Sequence, residues 1–290
     1  MMLRRLLLAL ALLLLAPALA VPALAVPAMW QVGEGASQIT IFGTVHALPK
    51  GQDWLTPAAR AAFDRADTLV VEMVPPDDPA AMRGLFMDLG LLKAPVPLAS
   101  RLPADLQPRA AAAVQASGLP PAMFDGMKSW LAALTLLQVD LARAGLDPAA
   151  GVDVTLVASA RAAGKALTGL ETAAGQLALF DSLPEADQRL LLASAIADSG
   201  KAAEQLQQLV AAWSAGDVAR ILKEFDDSSL SPVLEERLFR ARNSAWADWA
   251  QAALKTPGRR FMAVGAAHMA GPQGLVAMLE RRGITVRRVQ

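Results

Sequence analysis

The sequence predicts an α/β fold, in which a central, mostly parallel or mixed sheet carries flanking helices and a large helical insertion. Short runs rich in valine, isoleucine, leucine and phenylalanine lie near both ends of the chain and suit buried strands. The long stretches between them are rich in alanine, leucine, glutamine and glutamate, which favour helices. A β-loop-α-β pattern occurs once near each end. These three observations together predict one sheet to which both ends of the chain contribute strands.

The segment 1–25 has the pattern of a secretory signal peptide. Arg4 and Arg5 form a basic start, residues 6–16 form an apolar run, and a small-x-small site ends at Ala25. The apolar run is shorter than the about 20 residues that a membrane span needs, and prolines interrupt its extension. We therefore expect cleavage after Ala25 and export to the periplasm or the medium. The mature chain, residues 26–290, is predicted to form a single domain without an integral membrane segment.

Charge and composition limit the classes of partner and of site. Removing Arg4 and Arg5 from the 27 basic side chains leaves 25, against 27 acidic ones. This nearly balanced charge gives no reason to expect nucleic acid or anionic lipid as a partner. The chain has no cysteine, which excludes disulfides and cysteine nucleophiles. Any metal ion would have to be held by histidine, carboxylate and water.

Six short, apolar runs are predicted to be strands. They are MWQV (29–32), QITIFG (38–43), DTLVVEM (67–73), KALTGLE (165–171), RRFMAVG (259–265) and ITVRRV (284–289). A helix is predicted over residues 120–145, where apolar residues recur at helical spacing. Residues 172–257 have few strand-forming residues and are predicted to form the helical insertion.

The two β-loop-α-β units share one arrangement. The first passes from QITIFG through the helix-like PAARAAFDRAD to TLVVE, and the second passes from RRFMAVG through PQGLVAMLERRG to ITVRRV. Both predicted helices begin with proline, which the first turn of a helix tolerates well. In each unit a Gly-x-x-His motif directly follows the first strand, as Gly43 with His46 and as Gly265 with His268. We therefore predict approximate two-fold symmetry between the units.

His46 and His268 are the only histidines of the chain, and they lie near its opposite ends. A single histidine near a strand end is often structural, but the repeated motif favours a shared site. Ligands of open α/β sheets bind at the carboxyl ends of strands, and glycine there allows a close approach of the backbone. A shared site requires TIFG and MAVG to be neighbouring strands, or at most one strand apart. The imidazoles should then lie within about 8 Å of each other.

Two carboxylates and an Arg-Asn pair are further candidates. Glu72 follows TLVV and Glu171 follows LTGL, each at the end of a predicted strand. A buried, ionised carboxylate is costly unless it is paired or bound to a cation, so a salt bridge or a divalent metal with an open position is expected. Arg242 and Asn243 lie on a predicted helix. There Arg242 could clamp a carboxylate or stabilise an oxyanion, and Asn243 could orient a water or a substrate amide.

Several segments of the chain resemble the TraB/PrgY/GumN family, which includes the animal Tiki proteins and many exported bacterial members. The resemblance covers about residues 29–289 and is carried by FGTVHALPKGQDWL, VVEM, GVDVTLVASARAAGKALTGLET, GQLALFDSLP, RARN and FMAVGAAHMAGPQGLVAMLERRGITVRRV. It implies an α/β fold like that of erythromycin-esterase-like and ChaN-like proteins. In two departures, the Arg-Asn pair follows Ala241 instead of glutamate, and GAAHM replaces the commoner GAGHL.

The resemblance also implies an activity. The Tiki branch is described as metal-dependent peptidases that use the Gly-x-x-His histidines and a glutamate, which by position are His46, His268 and Glu72. Glu171 and the Arg-Asn pair match further family motifs. We therefore expect an exported metal-dependent hydrolase, above all a peptidase, that holds zinc, manganese, cobalt or iron and acts on a peptide or small-molecule substrate. One glutamate would be the third ligand and the other a general base.

Two other functions stay open. The first is a metal-independent hydrolase in which one histidine is the general base and a glutamate tunes its pKa, as the resemblance to erythromycin esterases permits. The second is a non-enzymatic protein that binds or sequesters a peptide, a metal or haem in the same pocket.

Overall fold

The computed structural model describes residues 25–199, 202–226 and 232–290. The predicted signal peptide lies outside these residues except for Ala25, which is buried and donates its N–H to the carbonyl oxygen of Asp53. The described strands are Met29–Val32 (β1), Ser37–Thr44 (β2), Thr68–Met73 (β3), Ala166–Glu171 (β4), Gly258–Gly265 (β5) and Val286–Arg288 (β6).

The described helices fill most of the chain between the strands. They are Pro57–Arg65 (α1), Pro79–Gly90 (α2), Gln107–Ser117 (α3), Pro121–Gly126 (α4), Ser129–Arg143 (α5), Val152–Ala162 (α6), Ala173–Asp181 (α7), Glu185–Asp198 (α8), Ala202–Ser214 (α9), Val218–Asp226 (α10), Pro232–Glu235 (α11), Ala241–Ala253 (α12) and Leu275–Arg281 (α13). Short 3₁₀ segments occur at Leu98–Arg101, Pro148–Ala150 and Ala266–Met269, and a π-helical segment, Glu236–Arg240, joins α11 to α12. None of these described helices is long and apolar enough to cross a membrane.

The six strands form one mixed sheet in the order β4-β3-β5-β2-β1-β6. Strands β2, β3, β4 and β5 run parallel, whereas β1 is antiparallel to both of its neighbours. The predicted pairing of the two glycine-ended strands is confirmed, because β2 lies beside β5 with Phe42 opposite Ala263 and Thr44 opposite Gly265. The α/β prediction with a mixed sheet is confirmed, and so is the helical insertion, since α7 to α12 lie between β4 and β5.

The two faces of the sheet carry separate hydrophobic cores. Alternation along β5 places Phe261 in one core and Met262 in the other. Helix α1 packs through Phe63 on the first face, and α13 packs through Leu279 on the second. The connection from β2 to β3 passes β5, and the connection from β5 to β6 passes β2 and β1. As predicted, the two units are related by approximate two-fold symmetry, because their connections run in opposite directions along the sheet and their helices lie on opposite faces. The antiparallel strand β1, inserted between β2 and β6, breaks this symmetry.

Two predicted helices have different bounds for local reasons. The helix of the second unit begins at Leu275 instead of Pro272, because a turn in which Gly274 N–H donates to Gly271 O precedes it. The helix predicted over 120–145 is divided into α4 and α5. At the division, Lys128 N–H donates to Gly90 O and Met127 forms a β-bridge with Leu91, so these backbone groups pair with the end of α2.

Candidate functional site

Four parallel strands end side by side at one edge of the sheet, and each end carries a titratable side chain. Glu72 is the penultimate residue of β3, and Glu171 is the last residue of β4. His46 follows β2, and His268 lies in the 3₁₀ segment after β5. Because the strands lie in the order β4-β3-β5-β2, these four side chains reach the same edge. The structure thus brings together residues that are far apart in the sequence.

Gly265 marks the point on which three of these groups converge. A methyl group added to its Cα would lie 3.1 Å from Glu72 Oε1, 3.4 Å from His268 Cδ2 and 3.9 Å from His46 Nε2. The two imidazoles therefore approach within the predicted distance of about 8 Å. The φ of Gly265 is −50°, which any residue adopts, so glycine is needed here for space. A methyl group on Gly43 would likewise lie 3.1 Å from the Cβ of Ala266.

Arg242 lies at the centre of the cluster and uses all its donors. Its Nε donates to Glu171 Oε1 at 2.7 Å, and its Nη2 donates to Glu72 Oε2 at 2.6 Å and to Glu171 Oε2 at 3.0 Å. Its Nη1 donates to Leu238 O at 3.0 Å and lies 3.0 Å from His268 Nε2. A guanidinium group has five N–H donors, so none is left for a substrate oxygen in this arrangement. The oxyanion role predicted for Arg242 would require it to give up one of these partners.

The two glutamates are largely but not fully buried, and Arg242 compensates their charge. The side chains of Glu72 and Glu171 are 12% and 16% exposed. Burial alone would raise the pKa of Glu72. At the low pH where Glu72 titrates, the positive charges of His268, His46 and Arg242, together with the N–H of Gly265, outweigh burial and lower this pKa to about 2. Glu72 is therefore an ionised carboxylate and a weak base.

His268 is held as a neutral ring by Asn243. Its Nδ1 lies 2.6 Å from Asn243 Oδ1, and the Nδ2 of the same amide donates to Gln273 O at 2.8 Å. The amide oxygen therefore faces the ring, so Nδ1 carries the hydrogen and Nε2 is the acceptor. Burial lowers the pKa of His268 to about 3. The sequence predicts that Asn243 orients a water or a substrate amide, but the structure buries it behind His268 with both ends of its amide occupied.

Trp246 packs beneath the charged groups. The centroid of its indole ring lies 4.4 Å from that of His268 and 4.7 Å from Cζ of Arg242. Its Nε1 donates to Glu171 Oε1 at 3.1 Å. A buried tryptophan thus fixes one glutamate and provides an aromatic face for the guanidinium group.

His46 lies on the exposed side of the cluster and pairs with Asp153. Its side chain is 66% exposed, and its Nδ1 lies 3.2 Å from Asp153 Oδ1. The contact with the Asp153 carboxylate raises the pKa of His46 to about 9, although water on the exposed side of the ring screens the pair. With Nδ1 turned to a carboxylate, Nε2 is left to face the point above Gly265. A histidine oriented in this way by an acidic residue is a typical general base.

Asp153 is the main residue of the site that was not predicted from the sequence. It lies in the first turn of α6, and Gly151 lets this helix approach the loop of His46, because a methyl group on Gly151 would lie 2.5 Å from His46 O. In the sequence Asp153 stands two positions after Gly151, a common pattern that does not by itself indicate a contact with His46. Gln176 was also missed, and its Nε2 donates to Glu72 Oε2 at 3.3 Å.

Except for His46 Nε2, the atoms expected to hold a metal ion are engaged within the protein. Glu72 Oε1 accepts from Gly265 N–H at 2.7 Å, while Glu72 Oε2 and His268 Nε2 both face Arg242. In the part of the chain that the structure describes, no three histidine or acidic side chains are grouped to hold an ion. A divalent cation at this position would also meet the positive charge of Arg242. As arranged, the residues do not fit a metal ion, and Arg242 would have to move before they could.

An apolar groove of about 330 Å³ lies beside the cluster. Glu171 and Arg242 line it together with Leu170, Leu179 and Trp249. The groove therefore shares residues with the cluster and joins it to a surface suited to an apolar ligand.

Comparison with known proteins finds a family whose sequence model covers all of these motifs. The sequence model of the TraB/PrgY/gumN family matches residues 28–288, which include all six strands and every residue of the cluster. Over 169 residues the chain is 30% identical to the Escherichia coli (strain K12) protein named uncharacterized protein YbaP, and equally to the Shigella flexneri protein of the same name. Each match covers 57% of this chain and 61% of the relative. No solved structure matches the chain significantly.

Proposed function

The chain belongs to the TraB/PrgY/gumN family, and on that premise we propose that it is an exported hydrolase that cleaves an acyl bond, with a peptide as its expected substrate. The observation that carries this proposal is the pairing of His46 with Asp153, with His46 Nε2 facing the point where Glu72 and His268 converge. An oriented imidazole beside a buried charged cluster at the carboxyl edge of an α/β sheet is the arrangement of a catalytic base.

The proposed reaction begins with a water molecule between His46 and the substrate carbonyl. The neutral His46 accepts a proton from this water at Nε2 while the water oxygen bonds to the carbonyl carbon. Asp153 keeps Nδ1–H in place and compensates the positive charge that forms on the ring. The imidazolium then gives its proton to the leaving amine or alkoxide as the carbonyl re-forms. Glu72, Glu171 and His268 hold Arg242, whose positive charge lies near this reaction point.

The experiment that tests this proposal is a peptide and ester cleavage screen with the mature protein and two variants. We expect His46→Ala and Asp153→Asn to lower kcat/KM by about 10² to 10⁴, the usual contribution of a general base. Asp64→Asn, at an exposed position of α1, is the matched control and should retain full activity. Wild-type activity in His46→Ala would remove the imidazole from the mechanism, provided that circular dichroism shows a folded variant.

Metal dependence stays a prediction of the sequence and is tested separately. Elemental analysis of the purified protein, followed by prolonged chelation and dialysis, distinguishes the two kinds of hydrolase. Activity that survives chelation supports the mechanism with His46 as base. Activity that is lost and then restored by zinc, manganese, cobalt or iron supports the metal-dependent alternative, in which Arg242 releases His268 and Glu72. Iron or visible absorbance together with no turnover supports the binding-protein alternative.

Export is proposed from the segment 1–25 alone, which has the basic start, apolar run and small-residue site of a signal peptide. Amino-terminal sequencing of the protein recovered from the periplasm or the medium tests it. A mature chain beginning near residue 26 is the expected result. Recovery of the uncut chain from the cytoplasm would contradict the proposal.

A further inference from the structure

We propose that the apolar groove beside Glu171 and Arg242 binds a large apolar side chain of the substrate, so that the enzyme prefers an aromatic or long aliphatic residue next to the bond it cleaves. This inference rests on the proposed hydrolase function and adds a substrate class to it. The groove has a volume of about 330 Å³, which lies in the range of cavities that bind small ligands.

The shape of the groove comes from the sequence of helix α12. Ala241, Ala245 and Trp249 follow one another at intervals of four residues and therefore lie on one side of this helix. All three line the groove, and both alanines are exposed. Two small side chains in a row leave the space that a longer pair would fill. The groove therefore exists because positions 241 and 245 on this face of the helix are alanines.

The opposite walls are apolar and belong to the end of β4 and to α7. Leu170 directly precedes Glu171, and Leu179 faces the groove from α7. Trp246 lines the groove where it borders the cluster, since its ring also contacts His268 and Arg242. Leucine and tryptophan walls favour apolar occupants, because burying such a group removes apolar surface of both partners from water.

The groove lies where it can bind part of the substrate that the Glu72–Arg242 cluster would bind. Glu171 and Arg242 line the groove and also form the hydrogen-bonded cluster with Glu72, so a side chain bound there lies next to the charged groups. Arg237 lines the groove as well. The hydrogen bond that the structure shows for it joins its Nη1 to Ser182 Oγ, which leaves other donors for a carboxylate or carbonyl oxygen of the ligand.

Narrowing the groove tests the preference directly. We expect the wild type to cleave peptides with phenylalanine or leucine beside the scissile bond at least about tenfold more efficiently than the alanine counterpart. Ala245→Leu should abolish this preference by filling the groove. Ala252→Leu makes the same change at an exposed position of the same helix that does not line the groove, and it should leave the preference intact.

A second measurement does not depend on turnover. In the His46→Ala background, an NMR titration with N-acetylphenylalanine and N-acetylalanine compares two ligands that differ by one phenyl ring. We expect the phenylalanine compound to bind at least about tenfold more tightly. The additional change Ala245→Leu should abolish that difference, whereas Ala252→Leu should keep it.

The two measurements separate this inference from the hydrolase proposal. Selective binding without any turnover would support the groove and contradict the hydrolase. Turnover with equal efficiency on all the peptides, or selectivity unchanged by Ala245→Leu, would overturn the groove and leave the hydrolase standing. Equal binding of both acetylated amino acids would likewise overturn it.

Discussion

At the scale of single residues, Arg242 connects the two carboxylates of the site with His268. It donates to Glu72 and Glu171 and lies against His268 Nε2, and its side chain is only 12% exposed. Buried ion pairs contribute little net stability when intact, but removing one partner leaves an uncompensated buried charge. Here the loss of one cation would remove the guanidinium partner that the two carboxylates share.

We therefore expect Arg242→Met to lower the free energy of unfolding by about 3–5 kcal/mol. Urea unfolding followed by circular dichroism measures this change. Arg60→Met, at an exposed position of α1, is the control and should change the free energy by no more than about 0.5 kcal/mol. A loss below about 1 kcal/mol in Arg242→Met would show that the carboxylates do not need this cation.

The same variant tests whether a metal ion can take the place of the guanidinium group. Once Arg242 is gone, the Glu72 and Glu171 carboxylates and His268 Nε2 form a set of acceptors without a positive partner. We expect zinc or manganese to raise the Tm of Arg242→Met more than that of the wild type. Equal shifts in both proteins would show that removing the guanidinium group does not open a metal site.

Asp153 should determine the pH dependence of activity. It raises the pKa of His46 to about 9, so the neutral form that can accept a proton becomes more populated as the pH rises. The kcat/KM of the wild type should therefore increase up to about pH 9. In Asp153→Asn the pKa of His46 should fall toward 6.5, which shifts this rise to lower pH while the maximal rate drops. A pH–rate profile measures both effects, and an unshifted profile would exclude Asp153 from the site.

At the scale of elements, strand β5 determines how closely the catalytic groups meet. Gly265 ends this strand and leaves room for Glu72, His268 and His46 around one point. We expect Gly265→Ala to reduce kcat/KM at least about tenfold, because the added methyl group would press on Glu72 Oε1 at 3.1 Å and occupy the space beside His46 Nε2 where the substrate would be attacked. The backbone conformation suits alanine, so the variant should stay folded.

Gly84→Ala is the matched control for that substitution. Gly84 lies in α2, is exposed, and would have no atom within 4 Å of an added methyl group. The change should leave activity intact and raise the free energy of unfolding by up to about 1 kcal/mol, since alanine favours helix. An active Gly265→Ala protein would mean that the point above Gly265 is not where the substrate is attacked.

Strands were easier to predict from the sequence than helix ends. MWQV was predicted with its observed bounds. The four parallel strands β2, β3, β4 and β5 begin and end within one residue of the prediction, because each is an apolar run next to turn-forming residues. Helix ends depend on tertiary contacts, as at Met127, which pairs with Leu91. The π-helical segment Glu236–Arg240 has no sequence signal of its own.

The site was predictable only in part, because some of its residues are positioned by tertiary contacts between helices and loops. His46, His268, Glu72 and Glu171 stood out because each follows or ends a predicted strand, and parallel strands bring such residues to one edge. Asp153 and the groove depend on how helices pack on that edge. The sequence of a helix does not indicate which loop a given residue of that helix will contact. These features are therefore visible only in the folded structure.

At the scale of the whole molecule, the buried neutral His268 links stability to pH. Its pKa is about 3 when folded and near 6.5 when unfolded, so below pH 6.5 the unfolded chain binds a proton that the folded chain does not. The free energy of unfolding therefore falls as the pH decreases. For this group alone the loss is about 2 kcal/mol between pH 8 and pH 5.

Urea unfolding of the wild type and of His268→Gln at pH 8, 6.5 and 5 isolates this contribution. The wild type should lose about 2 kcal/mol more than the variant over that interval. His46 acts in the opposite direction, because its raised pKa gives stability below pH 6.5 that is lost as the pH rises toward 9. Since His46 is present in both proteins, its contribution cancels in the comparison. Equal losses would mean that His268 is not buried as a neutral ring.

The position of β5 between β2 and β3 has a consequence for biosynthesis. Both flanking strands emerge from the ribosome early, whereas the strand that joins them begins only at residue 258. At about 5–20 residues per second, translation of the intervening stretch takes roughly 10–40 s. During that time each of the early strands lacks its final neighbour on one side, and an open strand edge readily pairs with the wrong chain. A chaperone that keeps the nascent chain unfolded until β5 and β6 have emerged would remove this hazard, and a chain truncated before β5 could form neither the central sheet nor the site.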